Sequence, residues 1–124
     1  MASTSYPARM NRPHPRRRLD TVLHPPIRLS LAALLDSAAE LEFAAVRDIL
    51  EISDSTLSKQ ISALESAGYL HIRKGYIGKR PRTWLSLTAA GRAAYTTHTT
   101  ALRAILTNQL GQTQNAKRAD TPQP

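Results

Sequence analysis

Between Leu23 and Leu110 the apolar residues recur in short patterned runs, with long polar stretches at either end of the chain. Ile27, Leu31, Leu34 and Leu35 fall at i, i+4, i+7 and i+8, one stripe of a helix. Pro25-Pro26 suits its first turn, where a missing N–H leaves nothing unpaired. Glu40-Leu41-Glu42 reads as a brief extended piece, and Phe43, Val46, Ile49 and Leu50 predict a second, short helix. A third helix is expected from Ser53 to Ala67. Ser53 is a good N-cap, Asp54 sits where the helix dipole favours an anion, and Gly68 suits the C-terminal stop. Its apolar face is Leu57, Ile61 and Leu64.

The period then changes to two. Leu70 and Ile72 alternate with His71 and Arg73, and Leu85 and Leu87 alternate in Thr83 to Leu87, as the strands of a hairpin do. Gly75 to Arg82 between them reads as a long, basic tip. Thr88 is a candidate N-cap for a last helix, expected to run to about Leu110 and stop at Gly111. The fold class is therefore mainly α with a small β-hairpin: a winged helix-turn-helix in the order α-β-α-α-β-β-α. Such a unit sets its second helix, here 53–67, in a major groove and its wing, here 75–82, on the backbone or minor groove beside it.

The polar faces add chemistry. Opposite the Leu57-Ile61-Leu64 stripe lie Ser55, Lys59, Ser62 and Ser66, flanked by Thr56 and Ser58 and almost free of acid. The 124 residues hold 17 Lys and Arg against 9 Asp and Glu, a net charge of +8. Asp20 to Glu65 contains eight of the nine acids, whereas Arg73, Lys74, Lys79, Arg80 and Arg82 cluster with none between them. A dense local cluster of this kind can hold a polyanion, whereas scattered excess charge mostly aids solubility. The N-terminus adds Arg9, Arg12, Arg16, Arg17 and Arg18, an arm, a tether or a solubilising tail.

Other classes recede. With no Cys there is neither a disulfide nor a thiolate chemistry, and no apolar run is long enough to cross a bilayer or to form a leader, so a cytoplasmic protein without membrane association is expected. His14, His24, His71 and His98 lack the short spacing of a helical metal site, and no catalytic triad, phosphate loop or carboxylate pair is visible. Neither an enzyme, a metal nor a cofactor is expected. Three domains follow: a flexible basic tail 1–18, a winged-helix domain 19–110, and a disordered tail 111–124.

Ile52-Ser53-Asp54-Ser55-Thr56-Leu57-Ser58-Lys59-Gln60-Ile61, with Leu64-Glu65 and Ala67-Gly68-Tyr69-Leu70, resembles the recognition helix of MarR-like winged-helix regulators. Lys79-Arg80-Pro81-Arg82-Thr83-Trp84 and Leu87-Thr88-Ala89-Ala90-Gly91-Arg92 resemble their wing and the start of their last helix. Leu23-His24-Pro25-Pro26-Ile27-Arg28-Leu29 resembles the compact subgroup without a long N-terminal helix. The wing departs in having Lys-Arg-Pro-Arg and no Asp-x-Arg tip. The resemblance implies a dimeric transcriptional regulator on a pseudo-palindromic double-stranded DNA site. It assigns DNA contacts to Ser55, Thr56, Ser58, Lys59 and Ser62 on the helix and to Lys79, Arg80 and Arg82 on the wing. Arg73 joins that set from the basic cluster. A protein-interaction module and a non-specific nucleic-acid binder are the rivals, and any small-molecule effector is left open.

In the last helix Tyr95, His98, Leu102, Ile105 and Gln109 recur at steps of three and four, the seam of a two-helix interface, with Leu106 broadening it. A homodimer is expected through that face. His98, for its part, is also read as a packing residue.

Overall fold

A computed structural model describes residues 12–120, with side-chain surroundings given through Thr107. The elements are a 3-10 turn (Pro15–Arg18), α1 (Pro26–Asp36), β1 (Leu41–Glu42), α2 (Phe43–Leu50), α3 (Asp54–Ser66), β2 (Leu70–Ile77), β3 (Arg80–Leu87) and α4 (Ala89–Asp120). The three strands form one antiparallel sheet in the order β1-β3-β2. Leu23, Leu31, Leu35, Val46, Leu57, Leu64, Leu85 and Leu87 meet in a single core that the three helical stripes and one sheet face share.

Local chemistry explains the boundaries. The Ser53 hydroxyl accepts the Thr56 N–H at 3.1 Å, capping α3, and Pro25-Pro26 opens α1. At the other end of α3, Tyr69 N–H reaches Leu64 O and Gly68 N–H reaches Glu65 O, both at 2.9 Å, with Gly68 at φ 80°. That is a Schellman stop, which glycine makes without steric cost. The end of α2 uses the same bonds, Ile52 to Arg47 and Glu51 to Asp48, but places Glu51 at φ 56°. A residue bearing a Cβ is strained there by roughly 1 kcal/mol. This tight α2–α3 corner is the turn of the helix-turn-helix.

Three boundaries differ from the sequence reading. The wing has no long tip. Ile77 pairs with Arg80 across a two-residue Gly78-Lys79 turn, so the ladder runs to the end of the hairpin. Gly78, at φ 62°, supplies the positive φ that two-residue hairpins need at their first turn position. Pro81, opposite Tyr76, sits one pair along, where the antiparallel alternation turns its nitrogen away from β2; β1 does not extend that far, and no bond is lost.

Second, α4 does not stop at Gly111 but continues through it to Asp120, 32 residues in all. One glycine costs only about 1 kcal/mol inside a helix, too little to end it. Third, Pro15–Arg18, placed in the N-terminal tail by composition, folds as a turn with Pro15 buried. The His14 ring accepts Arg16 N–H at 3.1 Å and caps it. Arg9 lies outside the described residues.

Candidate nucleic-acid interface

The outward face of α3 follows directly from its packing. Burial of Leu57, Ile61 and Leu64 turns Ser55, Ser58, Lys59 and Ser62 to solvent, and Thr56 stays half-buried beside the cap. Among the described residues Lys59 enters no ion pair. The N-terminus of α3 is held against α2 by Arg47, whose Nε donates to Asp48 Oδ1 at 2.9 Å and whose Nη1 donates to Asp54 Oδ1 at 3.0 Å. Those two hydrogen bonds hold the guanidinium firmly in its charged form. Arg47 thus bridges the end of α2 to the first turn of α3.

The wing is built differently. Period two puts Arg73, Gly75 and Ile77 on one face of β2, opposite Trp84, Arg82 and Arg80 of β3, and Glu42 of β1 joins the same row as Trp84 and Arg73. Arg73 donates through Nε and Nη2 to Glu40 at 2.9 and 2.7 Å, a bidentate pair, and its guanidinium lies 4.1 Å over the Trp84 ring. The hydrogen bonds from Arg73 hold the Glu40 carboxyl below the usual carboxylate range. Arg82 Nη1 lies 3.1 Å from Glu42 Oε1, and its Nε is buried without a partner. Gly75 makes room for this stack, since a Cβ there would stand 3.1 Å from the indole.

Of the four wing cations named from sequence, Arg73 and Arg82 are therefore engaged within the fold. Lys79 and Arg80, with Lys74, are exposed and make no ion pair among the described residues. Pairing with Glu40 and Glu42 was invisible in the sequence, because only the β1–β3 register brings those acids alongside.

The seam expected on α4 is divided. His98 is fully buried within the single chain, so it has no surface to offer an interface. Its Nδ1 accepts Asp20 N–H at 2.9 Å and its ring meets His24 edge-on at 5.6 Å, while Asp20 Oδ2 accepts the Tyr69 hydroxyl at 2.6 Å. The N-terminal segment needs that nitrogen, and burial and His24 hold the His98 pKa below its ordinary value. Tyr95 packs on the core of its own chain. Leu102 and Ile105 are half-buried and Leu106 is 64% exposed. The Gln109 side chain lies outside the described residues.

Sequence reasoning also passed over the packing role of Gly91. A Cβ on Gly91 would overlap the Tyr69 carbonyl oxygen. Thr88 caps α4 by accepting Gly91 N–H at 2.9 Å and donates to Gly68 O at 2.6 Å, so this junction joins α3, β2 and α4. Among the described residues no cluster of His, Asp or Glu could hold a metal ion, and no helix is long and apolar enough to cross a membrane.

Residues 27–106 match the family described as the winged helix DNA-binding domain. A transcriptional regulator homologue from Pyrococcus horikoshii superposes with a TM-score of 0.70 at 23% identity, covering 76% of this chain and 94% of that one. A regulator assigned to the MarR family from Enterococcus faecalis superposes at 0.60 and 18% identity, covering 98% and 100%. MepR of S. aureus, in its complex with DNA, superposes at 0.62 and 13% identity, covering 84% and 85%. The chain belongs to the winged helix DNA-binding domain family and has the fold of MarR-like transcriptional regulators.

Proposed function

We propose that two copies of this chain bind one specific double-stranded DNA site and so regulate transcription from it. The observation that carries this reading is the α3 face: Ser55, Ser58, Lys59 and Ser62 exposed together on a helix whose other side is locked into the core, with the acids Asp54, paired to Arg47, and Glu65 only at its two ends. Serine hydroxyls and a lysine reach base edges and phosphates alike. Thr56 borders that face. Lys79 and Arg80 on the wing supply contacts to the phosphate backbone. The DNA complex of the S. aureus neighbour supports the same use of this fold.

Pairing rests on α4. Leu106 is exposed in a single chain, with Leu102 half-buried one turn before it and Ile105 half-buried beside it. A two-fold dimer through this stretch covers them and sets two α3 helices about 34 Å apart, one turn of duplex. The test is selection from a random duplex pool by the full chain, with light scattering at tens of micromolar. Enrichment of an inverted repeat by a dimer is the expected result. Random recovery means non-specific binding, recovery of none means a protein-interaction module, and a monomer removes the palindrome.

A further inference from the structure

We propose that the wing tip contacts DNA through apolar side chains, with Tyr76 and Ile77 packing against the deoxyriboses of the minor groove beside the α3 site. This deepens the DNA-binding reading above and rests on it. Tyr76 is 74% exposed and Ile77 55%, neighbours in sequence on opposite faces of the last two pairs of the hairpin. Tyr76 stands across from Pro81 and Ile77 across from Arg80, so each side of the wing's end carries one large apolar side chain. Two large apolar side chains held in water at a narrow hairpin end gain by burial against a partner that straddles that end.

The surrounding charge identifies the partner. Lys74, Lys79 and Arg80 flank the pair without acidic partners among the described residues, and from Ser66 to Ala119 the sequence holds no acid at all. The nearest acids on the sheet, Glu40 and Glu42, are already taken by Arg73 and Arg82. An apolar wedge inside a ring of free cations fits a ligand that is anionic outside and apolar within, which is how a duplex groove is built from phosphates and sugars. Arg73 and Arg82, which could otherwise have entered the groove, are held along the wing by Glu40 and Glu42. The tight Gly78-Lys79 turn keeps the end narrow, and the stack of Arg73 on Trp84 braces it from behind.

Apolar packing and phosphate pairing separate by salt. Removing a phosphate contact flattens the dependence of log affinity on log salt by about 0.9 per contact, whereas removing an apolar contact lowers affinity equally at every salt. The experiment compares wild type, Y76A/I77A and Tyr76→Phe on a fluorescent duplex of roughly 30 base pairs, three helical turns, enriched from a random pool by the wild-type chain. Both side chains are exposed in the free protein, so melting temperatures should coincide. The expected result for Y76A/I77A is a loss of about ten-fold or more in affinity with the parental salt slope, as burial of two such side chains implies, and retention by Tyr76→Phe. Parental affinity at every salt, or a loss confined to the slope, overturns the proposal. A wild type that binds no duplex overturns the DNA-binding reading itself, and that outcome is seen before any variant is made.

Discussion

On α3 the side chains proposed to read DNA stand clear of the protein: Ser55, Ser58, Lys59 and Ser62 are exposed, and their positions follow from the buried Leu57-Ile61-Leu64 stripe alone. On the wing, half of the proposed cations are occupied: Arg73 and Arg82 belong to Glu40 and Glu42, leaving Lys79 and Arg80 for a partner. One element is a free face on a rigid rod. The other is a braced lever with its charge concentrated at the end. The difference shows that a count of basic residues overstates the charge a surface can offer, since intramolecular pairs withdraw part of it.

The largest effect should come from the junction that carries both elements. Gly91→Ala forces a methyl group into the Tyr69 carbonyl and should cost about 3 kcal/mol in urea unfolding, overpacking against backbone that cannot yield. An unchanged midpoint would mean that α4 is not seated on β2 as described. Next, Lys59→Ala and Ser55→Ala should each reduce discrimination between the selected duplex and random DNA by about 1–3 kcal/mol if they touch bases. Equal discrimination in both variants would move the reading surface off α3.

Much of this comparison was legible in the sequence. The first three helices, the Ser53 and Thr88 caps, the Gly68 stop and the start of the alternation in β2 and its close in β3 all rest on local rules, and each stands where the pattern puts it. What the pattern misjudged depends on distant partners or on weak local signals. The wing's tight turn needed the pairing of Ile77 with Arg80, and the ties of Arg73 and Arg82 needed the β1–β3 register. His98 fell at interface spacing, but its ring is drawn inward by an N–H from Asp20, 78 residues earlier. Gly111 looked like a stop because glycine often is one, yet a glycine ends a helix only when the chain takes a left-handed turn there.

The engaged half of the wing can be released. The double variant E40Q/E42Q keeps a hydrogen-bonding neighbour for each arginine and removes both negative charges, so affinity for random duplex should rise and the salt slope steepen, by up to about 0.9 for each arginine that gains a phosphate. A slope equal to wild type would mean that Arg73 and Arg82 stay out of reach even when freed.

The smallest effect should be with pH, and it concerns the frame rather than either element. A depressed His98 pKa means that the unfolded chain takes up the proton first. Stability is therefore complete above the ordinary histidine value and declines as pH falls below it toward the folded-state value. Melting at about pH 5 should lie below that at about pH 7.5, and His98→Gln should narrow the gap, by the linkage of proton uptake to unfolding. An identical gap in the variant would assign the loss to another group.

The most direct test of free against engaged charge is a salt titration of two variants on one duplex. K79A/R80A removes the two cations at the tip, and the four-fold exchange E40Q/E42Q/R73Q/R82Q removes both ion pairs without changing net charge. The slope should be flatter by about 0.9 per lost contact in the first and unchanged in the second. Equal flattening in both, or flattening only in the second, would contradict the division into free and engaged charge.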